Sequence, residues 1–278
     1  MPEYLDYKFE DTPAFVDTFD EAPLWSAAFG LLLFKHLELK PDLAVLDIGS
    51  GAGFPLLELA GRLGNSSRLY GLDPWENANQ RARQKIKNYG LRNVEIITGS
   101  AQQIPFEDHS LDLIVSNLGI NNFEQPALVF QECYRVLKPG GKLVLTTNRE
   151  GHWQEFYDIF ALTLRQLGKV TILEKLRLHQ EHRGTMDSLT ALFTDCGFTM
   201  HRHYEEKFDM QFLDGSAFLH HYFVKLGWLA SWKSLLPPEE TVEIFTALEQ
   251  NLNAHSQQSG GLRLTVPMAY LEGEKIKI

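Results

Sequence analysis

Residues 44–55, AVLDIGSGAGFP, run from an apolar segment through three glycines towards a helical pattern. A continuous apolar run of this kind is typical of a strand that is buried on both faces of a parallel sheet. Glycines at 49, 51 and 53 let the backbone turn sharply and approach a ligand closely. The helix that follows directs its free N–H groups and positive end at that ligand. This stretch therefore predicts a nucleotide-binding turn after the first strand.

Strand and helix patterns alternate from about residue 43 to residue 148. The predicted strands are 43–48, 67–73, 94–99, 111–117 and 142–148. The predicted helices are 54–64, 76–90 and 126–137. Strands that alternate with helices in this way predict an α/β fold with a doubly wound, mostly parallel sheet.

The pattern changes after residue 148. We predict a helix over 152–168, a helix over 187–198 with Asp187 as its N-cap, and strands over 198–212 and 262–275. The two strands are expected to pair at the sheet edge, which makes the C-terminal edge strand antiparallel and requires Pro267 to lie at the outer edge or at a bulge. The predicted organisation is an N-terminal cap segment (1–34), a nucleotide-binding core (35–150), a helical insertion (151–186), a core helix and strand (187–213), a second helical insertion (214–258) and a closing edge strand (259–278). The insertions and the N-terminus are expected to form a helical cap over the C-terminal edge of the sheet.

Composition limits the partners and the compartment. The net charge of −10 and the pI of about 5.5 argue against a nucleic-acid partner, because phosphate binding requires clustered Lys and Arg. The two cysteines, Cys133 and Cys196, form no CxxC motif and are predicted to be buried in helices, which favours a reducing, cytoplasmic location. The N-terminus is acidic and has no apolar leader pattern. The most apolar stretch, 218–236, contains two His and two Lys, so we predict no membrane-spanning helix.

The spacing of the glycines discriminates between nucleotides. A dinucleotide fingerprint, GxGxxG, would require glycine at Phe54 or Leu56, so a nicotinamide cofactor is disfavoured. A P-loop requires a lysine that is absent after this turn. Asp73 ends the second predicted strand, twenty residues after Gly53, where a carboxylate can accept hydrogen bonds from both hydroxyls of an adenosine ribose. That ribose belongs to NAD and to S-adenosyl-L-methionine (SAM) alike, so this residue alone leaves both open.

Four segments in order, VLDIGSGAGFP, LYGLDPW, GSAQQIPFEDHSLDLIVSN and RVLKPGGKLVLTT, resemble the class I SAM-dependent methyltransferases. The similarity is greatest to the small-molecule group that includes the ubiquinone and menaquinone methyltransferases, and it covers about residues 35–150. It implies SAM as cofactor and S-adenosylhomocysteine as product. It also implies the binding residues: Asp47, Gly49, Gly51 and Gly53 at the methionine end, Asp73 at the ribose, Pro74 and Trp75 beside the adenine, Ser100, Ala101 and Gln102 at the adenine edge, and Asn117 and Leu118 lining the pocket. The family often has Asp where this chain has Ser100.

The sequence indicates the residues that would contact the methyl acceptor less clearly than those that would bind the cofactor. Residues 116–123, SNLGINNF, lack the motifs of DNA, catechol-type and protein arginine methyltransferases and leave a polar, uncharged lip that contains Asn117, Asn121 and Asn122. Further candidates for substrate contact or a general base are His152, which follows the fifth strand, Tyr157 and His220. Each of these side chains has a structural alternative, as a turn cap, a solvated loop residue or part of a packed cap. His201 and His203 with His220 or His221 do not complete a metal site, so no metal is predicted.

The sequence therefore predicts a SAM-dependent methyltransferase that transfers a methyl group to a small molecule by in-line displacement. The aromatic residues of 218–232 favour an aromatic or lipid-like substrate. Two alternatives stay open: a SAM-binding module or sensor without catalysis, and a nicotinamide-dependent oxidoreductase. The sequence leaves the acceptor atom, the substrate and the oligomeric state open.

Overall fold

The computed structural model describes residues 2–19, 24–181 and 183–276. Its centre is a seven-stranded sheet in the order β3-β2-β1-β4-β5-β7-β6. The strands are β1 (Ala44–Ile48), β2 (Arg68–Asp73), β3 (Val94–Thr98), β4 (Leu111–Asn117), β5 (Leu137–Asn148), β6 (Phe198–Phe212) and β7 (Leu262–Lys275). The helices are α1 (Pro13–Phe19), α2 (Leu24–His36), α3 (Leu56–Leu63), α4 (Glu76–Tyr89), α5 (Pro126–Val136), α6 (Gln154–Gln166), α7 (Val170–Glu181), α8 (Met186–Asp195), α9 (Gly215–His220), α10 (Tyr222–Val224), α11 (Ala230–Ser234) and α12 (Thr241–Ser259). A π-helical turn, Lys225–Leu229, joins α10 to α11.

The sheet confirms the predicted architecture. Strands β3, β2, β1, β4 and β5 are parallel neighbours, and β7 runs antiparallel to β5. The apolar run of β1 is buried because helices cover both faces of a doubly wound sheet, which is why the strand shows no alternation. The predicted pairing of 198–212 with 262–272 is also confirmed, with β6 outermost and β7 inside. The β5 ladder ends at Met268, so Pro267, which has no N–H to donate, lies just beyond it.

Three local predictions were wrong. The N-cap of α8 is Thr185, whose side chain accepts a hydrogen bond from the backbone N–H of Ser188, and Asp187 lies in the first turn instead. Either residue type can cap a helix, and sequence alone does not select between neighbours. Cys196 is half-buried at the C-cap of α8, whereas Cys133 is buried in α5 as predicted. The fifth strand, predicted to start at residue 142, starts at Leu137, so residues 138–141 belong to β5.

The chain divides into two compact units. Unit 1 comprises Met1–Glu10, Arg149–Arg183 and Lys207–Pro267, and unit 2 comprises Asp11–Asn148, Gly184–Glu206 and Met268–Ile278. The core of unit 2 is an aliphatic cluster from the sheet, α5 and α8. The core of unit 1 is aromatic, with Trp153, Trp232 and Phe218 fully buried. The boundaries of the six segments drawn from the sequence stay predictions.

Among the helices that the structure describes, none combines the length and the apolar character needed to cross a bilayer.

Candidate active site

The turn between β1 and α3 depends on glycine at two positions in particular. Gly51 has φ +50° and Gly53 has φ +102°, a backbone region that side chains rarely adopt. A Cβ at Gly53 would lie 2.9 Å from the Leu57 side chain, so the turn packs closely on α3. A Cβ at Gly51 would meet no atom within 4 Å, so the backbone there borders open space. The turn therefore presents bare backbone to any molecule that enters this space.

Asp73, at the end of β2, holds this turn in place. Its Oδ2 accepts a hydrogen bond from the N–H of Gly51 at 2.9 Å, and its Oδ1 accepts one from the N–H of Trp75 at 2.8 Å. The residue is only 9% exposed. Each carboxylate oxygen can accept a second hydrogen bond. Asp73 can thus brace the turn and still bind the hydroxyls of a ribose, the role expected for it from the sequence.

Asp47, near the end of β1, is a buried carboxyl group beside this turn. Within the described residues neither oxygen makes a hydrogen bond of regular geometry. Burial and the nearby charge of Asp73 raise the pKa of Asp47 well above its ordinary value, and the backbone N–H of Leu56 offsets part of this rise. A cation near Asp47 would stabilise the carboxylate, and SAM carries both an ammonium and a sulfonium group.

A hydrogen-bond chain behind Asp73 was not predicted from the sequence. The fully buried Asn79 donates to the backbone oxygen of Asp73 at 2.8 Å and to Thr98 Oγ1 at 3.1 Å. Thr98 Oγ1 donates in turn to Glu76 Oε2 at 2.6 Å. The sequence feature that could have indicated this role is the amide of Asn79, which lies on the inward side of α4, three residues after Glu76. These contacts fix the ends of β2 and β3, between which the adenosine is expected.

The residues predicted at the adenine edge have mixed environments. Ser100 Oγ accepts a hydrogen bond from the N–H of Gln102 at 3.2 Å, which makes it a turn residue. Ala101 is nearly buried and belongs to the core of unit 2, whereas Gln102 is half-buried and Pro74 is exposed. Their binding roles stay predictions.

The N-terminal segment, which the sequence analysis assigned to a cap over this edge of the sheet, contacts the site through individual side chains that the sequence did not identify. Asp11 Oδ1 accepts hydrogen bonds from Trp75 Nε1 at 2.7 Å and from Asn77 Nδ2 at 2.9 Å. Five residues later the fully buried Val16 of α1 packs against Ala52 of the glycine turn and Ala78 of α4. The acidic start of the chain is therefore part of the wall around the turn.

The lip after β4 is held by amide hydrogen bonds. Asn117 donates to the backbone oxygen of Ser26 at 3.2 Å and accepts from Thr146 Oγ1 at 2.7 Å. Asn121 donates to Asn148 Oδ1 at 2.8 Å and accepts from Thr147 Oγ1 at 2.9 Å. Asn122 is exposed, and Leu118 has φ +68°, an uncommon conformation for a leucine. The lip is thus a fixed polar rim next to the glycine turn, and a Cβ on its Gly119 would lie 2.9 Å from the Ile48 carbonyl.

The remaining catalytic candidates lie in unit 1. His152 is 3% exposed and stacks on Trp153, with ring centroids 4.5 Å apart. Burial and the charge of Arg183 hold the pKa of His152 well below its ordinary value, so the imidazole is neutral at physiological pH. Tyr157 is buried and accepts a hydrogen bond from Trp232 Nε1 at 3.2 Å, and burial raises its pKa. His220 is exposed, with Nδ1 2.8 Å from the backbone oxygen of Ser216.

The other histidines considered as metal ligands from the sequence are His201, His203 and His221. Among the residues that the structure covers, no group of three or more His, Cys, Asp or Glu could hold a metal ion. His182 lies outside the described residues.

A cavity of about 240 Å³ lies at the opposite end of the strands, beside the starts of β1 and β5. Its lining lysines are paired: Lys40 with Glu38 at 3.3 Å, Lys138 with Asp112 at 2.8 Å, and Lys142 with Glu272 at 2.6 Å. Its glycines, Gly140 and Gly141, lie within β5 and do not lead into a helix, and the carboxylates Asp112 and Glu272 are paired with lysines, so we do not assign the cofactor to it.

The residues around the glycine turn fit SAM on three counts. Backbone N–H groups at the start of α3 suit its carboxylate, the buried Asp47 suits its positive charges, and Asp73 suits its ribose. These residues also border the open space beside Gly51.

Comparisons with known proteins agree with this site. A family model described as a methyltransferase domain matches residues 46–145, which include the glycine turn, Asp73 and the lip after β4. A demethylmenaquinone methyltransferase from Geobacillus sp. (strain WCH70) is 34% identical over 173 residues, which cover 59% of this chain and 74% of that relative.

Solved structures support the fold. A candidate methyltransferase from Bacillus halodurans C-125 superposes with a TM-score of 0.60 at 20% identity, covering 89% of this chain and 98% of that one. Geranyl diphosphate C-methyltransferase from Streptomyces coelicolor A3(2), solved with S-adenosyl-L-homocysteine, gives a TM-score of 0.54 at 16% identity over 90% of this chain and 79% of its own. With its sequence relative, its domain match and this fold, the chain belongs to the class I SAM-dependent methyltransferases, is similar to the quinone methyltransferases among them, and uses SAM as its cofactor.

Proposed function

We propose that this chain methylates a small aromatic or lipid-like molecule. The observation that carries the proposal is the Asp73–Gly51 hydrogen bond of 2.9 Å beside the buried Asp47, a pre-formed arrangement for the ribose and the cationic end of SAM. The relatives named as demethylmenaquinone methyltransferases support an aromatic, lipid-like acceptor. The net charge of −10 supports a small molecule over a nucleic acid.

SAM supplies a methyl group on a positively charged sulfur, which is already activated for displacement. The residues of the chain then have to bind, orient and exclude water. Asp73 and Asp47 fix the position of the methyl donor. The rim amides Asn117 and Asn121 are held by their own hydrogen bonds, so they can orient an acceptor without first being ordered.

The three candidates for proton transfer, His152, Tyr157 and His220, differ in protonation state and exposure. His152 is neutral and can accept a proton, because its lowered pKa leaves the imidazole unprotonated. Tyr157 has a raised pKa and keeps its proton, so it is not a base. His220 is exposed and is the weakest of the three.

We further propose that the enzyme works in the cytoplasm. The two free cysteines and the acidic composition support this location.

The test is methyl transfer from SAM, followed as S-adenosylhomocysteine release, with hydroquinone-like, phenolic and amine acceptors. We expect turnover with at least one aromatic acceptor and no dependence on added metal. Tight binding of S-adenosylhomocysteine without turnover of any acceptor class would favour the alternative of a non-catalytic SAM-binding module.

A further inference from the structure

The cavity beside the starts of β1 and β5, in unit 2, has a lining that is part charged and part apolar. Its volume is about 240 Å³. At about 30 Å³ for a water-sized group, this is room for roughly eight non-hydrogen atoms. The apolar part of the lining includes Leu37, Leu43 and Leu113. The cavity therefore suits a small organic molecule with one charged and one apolar part.

The charged part of the lining is centred on Glu272, whose carboxylate is shared by two cations. Lys142 Nζ lies 2.6 Å from its Oε1, and Arg202 Nη2 lies 2.9 Å from its Oε2. The hydroxyl of Tyr270 donates a further hydrogen bond to Oε2 at 2.6 Å. Glu272 is only 1% exposed, so one buried negative charge lies between two positive charges.

The other two carboxylates of the lining are paired with other lysines. Both oxygens of Asp112 accept hydrogen bonds from Lys138, at 2.8 and 2.9 Å. Glu38 lies 3.3 Å from Lys40 but 4.0 Å from Lys142, and its side chain is 53% exposed, which weakens its pairing with either lysine. Among the described residues of the lining, four cations thus face three carboxylates. The excess positive charge lies with the two cations that share one carboxylate.

Arg202 also has an unused hydrogen-bond donor. Its Nη2 makes the contacts to Glu272, whereas its buried Nε has no hydrogen-bond partner in the part of the chain that the structure describes. A buried N–H without an acceptor is unfavourable, and an anion in the cavity would supply both the acceptor and the missing negative charge. The planar guanidinium is well suited to a carboxylate.

We propose that this cavity is a binding site for a small monocarboxylic acid of roughly eight non-hydrogen atoms. Its carboxylate binds at Arg202 and Lys142, and its apolar part packs along Leu37, Leu43 and Leu113. One negative charge matches the excess of one positive charge, which favours a monocarboxylate over phosphate. The site lies at the opposite end of the strands from the glycine turn, so it is separate from the cofactor site and does not rest on the proposed function.

The test is titration of the full chain with hexanoate and with hexanamide, a neutral molecule of the same size, followed by ligand-observed NMR at low ionic strength. We expect hexanoate to bind at least about tenfold more tightly, since a hydrogen bond to a charged group contributes this much. Arg202→Gln should abolish the preference, because Lys142 alone then balances Glu272. Lys142→Met should abolish it for the corresponding reason, and Arg202→Lys should retain part of it. The matched control is Arg92→Gln, at an exposed arginine of unit 2, which should leave the preference unchanged.

Equal affinities for hexanoate and hexanamide in the unmodified chain would overturn the proposal, as would an unchanged preference in Arg202→Gln or in Lys142→Met. The two variants change different side chains, so one of them decides the question if the other does not fold. Inorganic phosphate is titrated as a separate probe. If phosphate binds as tightly as hexanoate and depends on Arg202, the monocarboxylate assignment is wrong. S-adenosylhomocysteine affinity should be the same in all folded variants, and its loss in Arg202→Gln would contradict the separation of the two sites.

Discussion

Two carboxylates near the glycine turn act differently because their environments differ. Asp73 has two backbone N–H donors, at 2.9 and 2.8 Å, which stabilise its negative charge. Asp47 lacks regular hydrogen bonds among the described residues and has a raised pKa. One residue is therefore ready to bind ribose hydroxyls, and the other gains most from a cation.

Asp73→Asn should weaken S-adenosylhomocysteine binding by about ten- to a hundred-fold, which corresponds to the loss of a charge-assisted hydrogen bond of roughly 1.5–3 kcal/mol. Isothermal titration measures this directly. Asp112→Asn is a matched control, because Asp112 also accepts a hydrogen bond from a backbone N–H, that of Ala44 at 2.9 Å, at the start of β1. An affinity that falls equally in both variants would contradict the role given to Asp73.

Asp47→Asn should stabilise the fold and weaken cofactor binding. The folded chain holds a proton on Asp47 that the unfolded chain releases, so stability falls as pH rises from the ordinary carboxyl pKa to the raised one. The asparagine removes this loss. We expect the melting temperature at pH 8 to rise by about 2–4 °C for each kcal/mol gained, with little change at pH 4. A lower melting temperature of Asp47→Asn at pH 8 would contradict this expectation and show that a partner stabilises the Asp47 carboxylate.

At the scale of elements, packing of α1 stabilises the binding site, whereas the contacts at the end of α5 stabilise the fold. Val16 of α1 is fully buried against Ala52 in the glycine turn, so this short helix supports the site. At the C-terminal end of α5, Lys275 donates to the backbone oxygens of Tyr134 at 2.5 Å and Leu137 at 2.8 Å, which supports the fold alone.

Val16→Ala should loosen the turn and weaken S-adenosylhomocysteine binding several-fold, because the turn must then be ordered on binding. Val170→Ala, at a 63% exposed position of α7, is the control and should bind as the unmodified chain does. Equal affinities in both variants would mean that α1 does not support the turn.

Lys275→Met leaves the last carbonyls of α5 without their donor and should cost about 1–3 kcal/mol. Thermal denaturation should show the loss, whereas S-adenosylhomocysteine affinity at a temperature well below unfolding should not change. The exposed Lys207→Met serves as the control. A large drop in cofactor affinity would place Lys275 in the site and contradict its purely structural role.

At the scale of the whole molecule, the features predicted correctly from the sequence are those that local residue patterns determine. The doubly wound, mostly parallel sheet followed from buried apolar runs alternating with helices, and the turn at Gly49–Gly53 followed from glycine spacing. The packing of Val16 was not predictable, because it depends on contacts between residues far apart in sequence. The N-cap of α8 is Thr185 and not the predicted Asp187, because several neighbouring residues can cap a helix equally well.

The central claim is that the glycine turn, Asp47 and Asp73 form a SAM site and not a dinucleotide site. The most direct measurement is calorimetric titration of the full chain with S-adenosylhomocysteine and, separately, with NAD. We expect micromolar binding of S-adenosylhomocysteine, weakened about ten- to a hundred-fold in Asp73→Asn, and no binding of NAD. Binding of NAD, or no binding of S-adenosylhomocysteine by the folded chain, would contradict it.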